Sequence, residues 1–223
     1  MSSINSAIVM DFETGGLDPS KNPALQIAYQ AIQLDNYKPI LEYSSYIIPY
    51  NELEIDKAAT DFNGITYEKM MSGIDTKPLV VRLCDDFTNA NVSKNFRTKP
   101  FIVGHNIGFD IGFLAYIFRL HKVDLGKYLD TNKDENGIEK PKYIDTMMLA
   151  KQRWGGMPKG TKFNLSACVE RAGIAITDAH DALNDVRATK ELFIYFTNIL
   201  RSGSTEMTAE ATKEIRIRNH FRF

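Results

Sequence analysis

Residues 8–18 read IVMDFETGGLD, an apolar run that ends in two acids and a glycine pair. An apolar stretch of this length, closed by a turn signal, predicts a buried strand over residues 7–12. Asp11 and Glu13 stand two apart, so on a strand both side chains project from one face. A lone pair of this kind is commonly a solvated acidic edge. Here every preceding strand residue is apolar, and two carboxylates on one face repel unless they share a cation. Gly15 and Gly16 predict a turn whose backbone N–H groups can approach a phosphate or sugar closely.

Two later segments repeat the theme. Residues 102–114, IVGHNIGFDIGFL, predict a compact buried strand and then a helix from Asp110 onward. Asp110 by itself reads as a helix cap or a favourable charge at the helix dipole. His105 and Asn106 supply hydrogen-bonding groups in the same turn, either to reach a nucleotide or to hold the loop. Residues 179–193, AHDALNDVRATKELF, place His180 just before a helix and Asp185 in its second turn. Asp185 interrupts a core-facing helix, a costly place for a charge unless a cation sits opposite. A lone His is more often structural, but beside these acids His180 suits a base that takes a proton from water near neutral pH. All these residues fall at strand ends or helix starts, where an open α/β sheet presents its ligand-binding groups. Four converging carboxylates require divalent cations, and cations with one titratable base point to phosphodiester hydrolysis.

The rest of the chain predicts an α/β frame. Residues 25–34 and 41–48 read as strands joined by a short polar connection, which favours an antiparallel meander. Helical spacing follows over 53–62, 67–71 and 78–89. Residues 126–142 are polar, with Asn136-Gly137 as a turn, and predict an insertion or small hairpin. Their resemblance to a calcium loop fails, because the twelfth position is Tyr143 rather than Glu. Residues 143–149 lead into a helix, and 164–172 form another, ended by Gly173. The last major helix is expected over 181–200, with residues 201–205 breaking the pattern and 209–223 as an appendage.

Composition sets outer bounds. The chain has 223 residues, 43% hydrophobic and 25% charged, with 27 basic and 28 acidic side chains. That balance disfavours a sequence-blind DNA-coating protein, yet allows a nucleic-acid enzyme whose acidic centre offsets bases elsewhere. Cys84 and Cys168 lack metal spacing and read as buried reduced thiols. No signal peptide or membrane-length apolar run is read, so a cytoplasmic location is expected.

Taken in order, the three segments resemble the signature motifs of the DEDDh 3′–5′ exonucleases, which include proofreading exonucleases of bacterial replicative polymerases and ribonuclease T. The first is Asp11-Phe12-Glu13-Thr14-Gly15-Gly16-Leu17, the second His105-Asn106 with Phe109-Asp110 and Phe113-Leu114, the third His180, Ala182 and Asp185. Any one alone is weak evidence; together they span residues 7–200.

The resemblance implies a ribonuclease H-like fold, a mixed five-stranded sheet flanked by helices, over residues 1–200, with 201–223 appended. It implies that Asp11, Glu13 and Asp185 hold one Mg2+ or Mn2+ ion, and Asp11 with Asp110 a second, about 3.5–4 Å away. His180 would be the general base. Thr14, Leu17, Asn106 and Phe109 would hold the terminal nucleotide. Single-stranded DNA is the expected substrate, with RNA the alternative, and a polymerase or a second copy is a possible partner. The chain departs from the family at Gly15, where Thr is common, and at Asn63, where His is usual. Both are expected to affect substrate contacts and leave the metal set untouched. Asp145 is expected to cap the following helix. Asp178 and Asp181 are read as capping or solvated groups. The alternating basic and apolar tail, 214–223, reads as a frayed terminus or a surface for single strands or partners.

Overall fold

The computed structural model describes residues 6–92, 98–133, 139–175 and 181–220, with side chains through Ser202. Its centre is a five-stranded sheet in the order β3-β2-β1-β4-β7. Strand β1 (Ser6–Thr14) pairs antiparallel with β2 (Ala24–Gln33), which pairs antiparallel with β3 (Pro39–Tyr46). On its other side β1 runs parallel to β4 (Phe101–Gly104), which runs parallel to β7 (Tyr143–Asp145). Strands β5 (Thr131–Lys133) and β6 (Glu139–Pro141) make a separate antiparallel hairpin, as the polar insertion predicted; the Asn136-Gly137 turn lies outside the described residues.

Between β3 and β4 lie α1 (Lys57–Asn63), α2 (Tyr67–Met71) and α3 (Thr76–Asn89). Helix α4 (Gly108–Leu120) follows β4, and α5 (Thr146–Trp154), α6 (Leu165–Arg171) and α7 (Ala182–His220) complete the chain.

Strand β1 sorts its side chains onto two faces. Ile8, Met10 and Phe12 enter one core, with Leu79, Leu83 and Phe87 of α3 and Phe113, Leu114 and Ile117 of α4. Ala7 and Val9 enter the other, against Ala182, Val186 and Phe193 of α7. Period-two alternation then continues the second face into Asp11 and Glu13, toward the start of α7. The pairing of β1 with β2 slips between Glu13 and Thr14, so the regular ladder ends where the acids stand.

One boundary differs from expectation. Helix α7 does not stop near Leu200 but runs through the 201–205 stretch to His220. A single glycine in a helix costs about 1 kcal/mol, and the stretch contains no proline, so good helix formers on either side carry the helix across. Ser202 hydroxyl donates to the Asn198 carbonyl at 2.8 Å, the local side-chain contact a helical serine makes.

Candidate active site

The carboxylates of Asp11, Glu13 and Asp185 converge, with one oxygen of each within 4.8 Å of the others. Strand β1 supplies the first two. The third arrives because Asp181 starts α7: its side chain accepts from Leu183 N–H at 2.9 Å, and its carbonyl receives Asp185 N–H at 3.0 Å. Arg187, 2.7 Å from Glu42, ties the same helix to β3.

Asp110 joins from the opposite side of the sheet. The helix starts two residues earlier, at Gly108, so Asp110 is not its cap. Instead its Oδ1 accepts the Phe12 N–H at 2.9 Å, which pins the carboxylate beside Asp11. The side chain is almost fully buried, with 4% of Asp110 exposed.

The electrostatics record this crowding. Burial, then the charges of Asp110, Glu13 and Asp185, raise Asp11 well above the ordinary carboxylate range. Burial and Asp185 push Glu13 up to about 7, against a hydrogen bond from the Asn63 side chain. Burial likewise carries Asp110 to about 7, opposed by its bond from Phe12 and aided by Glu13 and Asp145. Crowded hard oxygen donors of this kind fit a hard divalent cation, which would relieve the repulsion that burial magnifies.

His180 lies outside the described residues, as does Asp178. Among the remaining predicted contacts, Leu17 is 84% exposed beside the cluster turn. Thr14 turns its hydroxyl inward to the Gly16 carbonyl at 2.7 Å. Phe109 is half-buried and packs on Phe113, with ring centroids 5.1 Å apart. Asn106 is exposed and adopts a left-handed backbone, φ 63°. That conformation is held by Asp145, whose Oδ1 accepts both Asn106 N–H and Met147 N–H at 2.9 Å. Asp145 is therefore the expected helix cap and also a brace for the β4–α4 turn.

His105 proves to be a loop-holding group. Its Nδ1 lies 3.0 Å from the Thr146 hydroxyl and its Nε2 2.8 Å from the Phe163 carbonyl. The glycine turn is also engaged internally: Gly15 N–H donates to Pro23 at 2.8 Å, so it is not presented to a phosphate. Gly16 is required because a Cβ there would overlap the Asn22 side chain.

Asn63 overturns a second expectation. Its Nδ2 donates to the Thr14 carbonyl at 3.2 Å, and its side chain also bonds Glu13. It thus touches the acidic set, across about fifty residues that no local motif connects. Phe62, the neighbouring residue, is a large aromatic left 72% exposed.

The sequence profile of the RNase T exonuclease family matches residues 8–193. The chain belongs to the exonuclease family. The DNA polymerase III PolC-type protein of Thermotoga petrophila is 29% identical over 203 residues, covering 90% of this chain and 12% of the polymerase. The chain therefore spans only a small part of that relative. Ribonuclease T of Photorhabdus laumondii is 26% identical over 212 residues, covering 92% of this chain and 90% of the ribonuclease. Among solved structures, E. coli exonuclease I in complex with a dT13 oligonucleotide matches with a TM-score of 0.66 at 22% identity, over 84% of this chain and 40% of the other. That likeness is one of fold, the ribonuclease H-like mixed sheet flanked by helices. Among the described residues, no helix is long and apolar enough to cross a membrane.

Proposed function

We propose that this chain is a 3′–5′ exonuclease that releases nucleoside monophosphates from the 3′ ends of single-stranded nucleic acid, DNA above all. The convergence of Asp11, Glu13 and Asp185 in an exonuclease-family chain carries the reading.

Asp11, Glu13 and Asp185 would hold one divalent ion and Asp11 with Asp110 a second, Mg2+ or Mn2+, in positions suited to polarising a phosphate and activating water. The chain's own groups do the rest. His180, five residues before Asp185 in the third motif, takes the proton from the attacking water as general base. The Phe12 N–H keeps Asp110 fixed before substrate arrives, so no side-chain reorganisation is needed at the moment of reaction. Leu17, exposed next to the acids, is the wedge against the terminal base; Thr14, Asn106 and Phe109 shape the pocket around it. Phe62, exposed and next to Asn63 in the chain, is a candidate ring face for a further base.

RNA is the second reading, supported by the similarity to ribonuclease T along 90% of that protein. Similarity to PolC-type polymerases supports action beside a polymerase, and self-association is the other arrangement. Residues 1–200 are assigned as the catalytic unit and 201–223 as an appendage to it.

The decisive experiment incubates the protein with matched single-stranded DNA and RNA labelled at the 5′ end, with Mg2+, Mn2+ or EDTA. Stepwise shortening from the 3′ end, abolished by EDTA and by Asp11→Asn, is the expected result. No metal-dependent shortening of either strand would sink the reading.

A further inference from the structure

Residues 151–163 read KQRWGGMPKGTKF and contain four bases, Lys151, Arg153, Lys159 and Lys162, and no acid. In a chain of net charge −1 this is a local excess of positive charge. The segment comprises the end of α5 and the connection to α6. All four basic side chains are exposed, and none forms an ion pair among the described residues. Surface bases ordinarily alternate with acids, so an unpaired run on one connection is a concentrated source of positive potential.

The connection is anchored. The Arg171 guanidinium lies between the Trp154 ring at 5.1 Å and the Phe163 ring at 5.5 Å, and donates to the Lys162 carbonyl at 3.1 Å. It is also joined to the acidic centre. The Phe163 carbonyl meets His105 Nε2 at 2.8 Å, and His105 leads directly into Asn106 and the helix that bears Asp110. Thr146, at the head of α5, meets the other nitrogen of the same ring. The basic segment therefore meets the turn that leads to Asp110 through Phe163, with Lys162 next to it in the chain.

We propose that residues 151–163 form the backbone-binding track for the single strand that leads to the active site, its phosphates engaged by Lys151, Arg153, Lys159 and Lys162. The track rests on the exonuclease reading and adds to it. An acidic centre repels a polyanion at every point except where cations bridge, so the strand needs a separate positive surface to remain bound. Continuity with the catalytic turn and complementary charge select a polynucleotide as the occupant. Phosphodiesters of DNA and RNA share this chemistry, and the track is indifferent to base sequence.

The test combines binding and turnover. Fluorescein-labelled oligo-dT and oligo-U are titrated in EDTA at several salt concentrations, with the wild type, Lys151→Ala/Arg153→Ala/Lys159→Ala/Lys162→Ala, and a Lys77→Ala control on α3. For a single strand each lost phosphate contact removes about 0.7 from the slope of log K against log salt, so the fourfold variant should lose up to about 2.8. The control should keep the wild-type slope. With Mg2+, the fourfold variant should show a KM at least about tenfold higher on long strands, the effect of roughly 1.4 kcal/mol of binding, with kcat preserved. Turnover of a dinucleotide, too short to reach the track, should be unchanged. Replacing the three lysines with arginine should restore slope and KM.

Equal loss on oligo-dT and oligo-U supports a phosphate track; loss on one alone would overturn it in favour of sugar recognition. A wild type that cleaves while the variant keeps its slope and KM would also overturn the track, leaving the basic face for a different occupant. A wild type that cleaves neither strand with metal removes the exonuclease reading itself.

Discussion

Asp110 on α4 accepts a hydrogen bond from the backbone N–H of Phe12, at 2.9 Å and across 98 residues of chain. Phe12 stands between Asp11 and Glu13, so one bond locks the second sequence motif to the first. The buried acceptor is a charge brought close to other charges, an arrangement that costs stability until a cation arrives.

Replacing Asp110 with Asn tests that balance. The amide keeps the size and can still accept from Phe12, but removes one repelling charge. The metal-free variant is expected to melt at or above the wild-type temperature in EDTA. Its metal-dependent cleavage should fall by about 10²–10³-fold, the scale of losing one preorganised electrostatic group. A lower melting temperature together with retained cleavage would contradict the role assigned to Asp110.

Stability without metal should depend on pH in a defined direction. Glu13 and Asp110 are both raised to about 7 in the folded protein, from ordinary values of 4.5 and 3.8. Between these limits the folded state binds more protons than the unfolded chain, so unfolding free energy declines as pH rises. The contribution is complete below the unfolded values and is lost as pH passes through about 7. Urea titrations in EDTA across this window should show falling midpoints, and added Mg2+ or Mn2+ should restore them at the alkaline end. Midpoints that rise with pH in EDTA would refute the crowding.

Asn63→Ala removes a hydrogen bond that holds the Glu13 pKa down. Glu13 should then ionise at still higher pH, so the acid limb of the activity profile moves upward. Metal affinity should weaken by about 10–100-fold, as when a group orienting a metal-binding side chain is lost. A metal titration of activity at two pH values measures both effects; an unchanged profile would remove Asn63 from the site.

Phe62→Ala addresses the rim. Stacking of one base on an aromatic side chain is worth about 1–3 kcal/mol by alanine substitution, so KM on single strands should rise about 5–150-fold. Because the ring is 72% exposed, thermal stability should change little. Phe62→Trp should retain binding. Loss of stability with an unaltered KM would mean that the ring is structural.

The contrast between Asp11 and Asn63 shows how much was legible in the chain. Asp11, Glu13, Asp110 and Asp185 could be read because each lies in a local pattern: an apolar strand ending in acids, or a helix start after a strand. Period-two geometry places Asp11 and Glu13 on one face without any tertiary knowledge. The individual strands were legible in the same way, whereas the five-stranded frame and the helix cap at Asp145 came from the family resemblance. Asn63 was misread because its bonds to Thr14 and Glu13 close a loop of about fifty residues, and nothing in local spacing encodes that closure.

The sequence by itself determined the acids, the elements that carry them and the family, since hydrophobic period and motif spacing are short-range properties. Only the tertiary structure decided that Asp110 is held by Phe12 rather than capping its helix, that Gly15 spends its N–H on Pro23, and that α7 continues beyond Leu200. Those outcomes depend on which distant partners reach a donor first once the core has closed, and on helix propensity summed across a single unfavourable glycine.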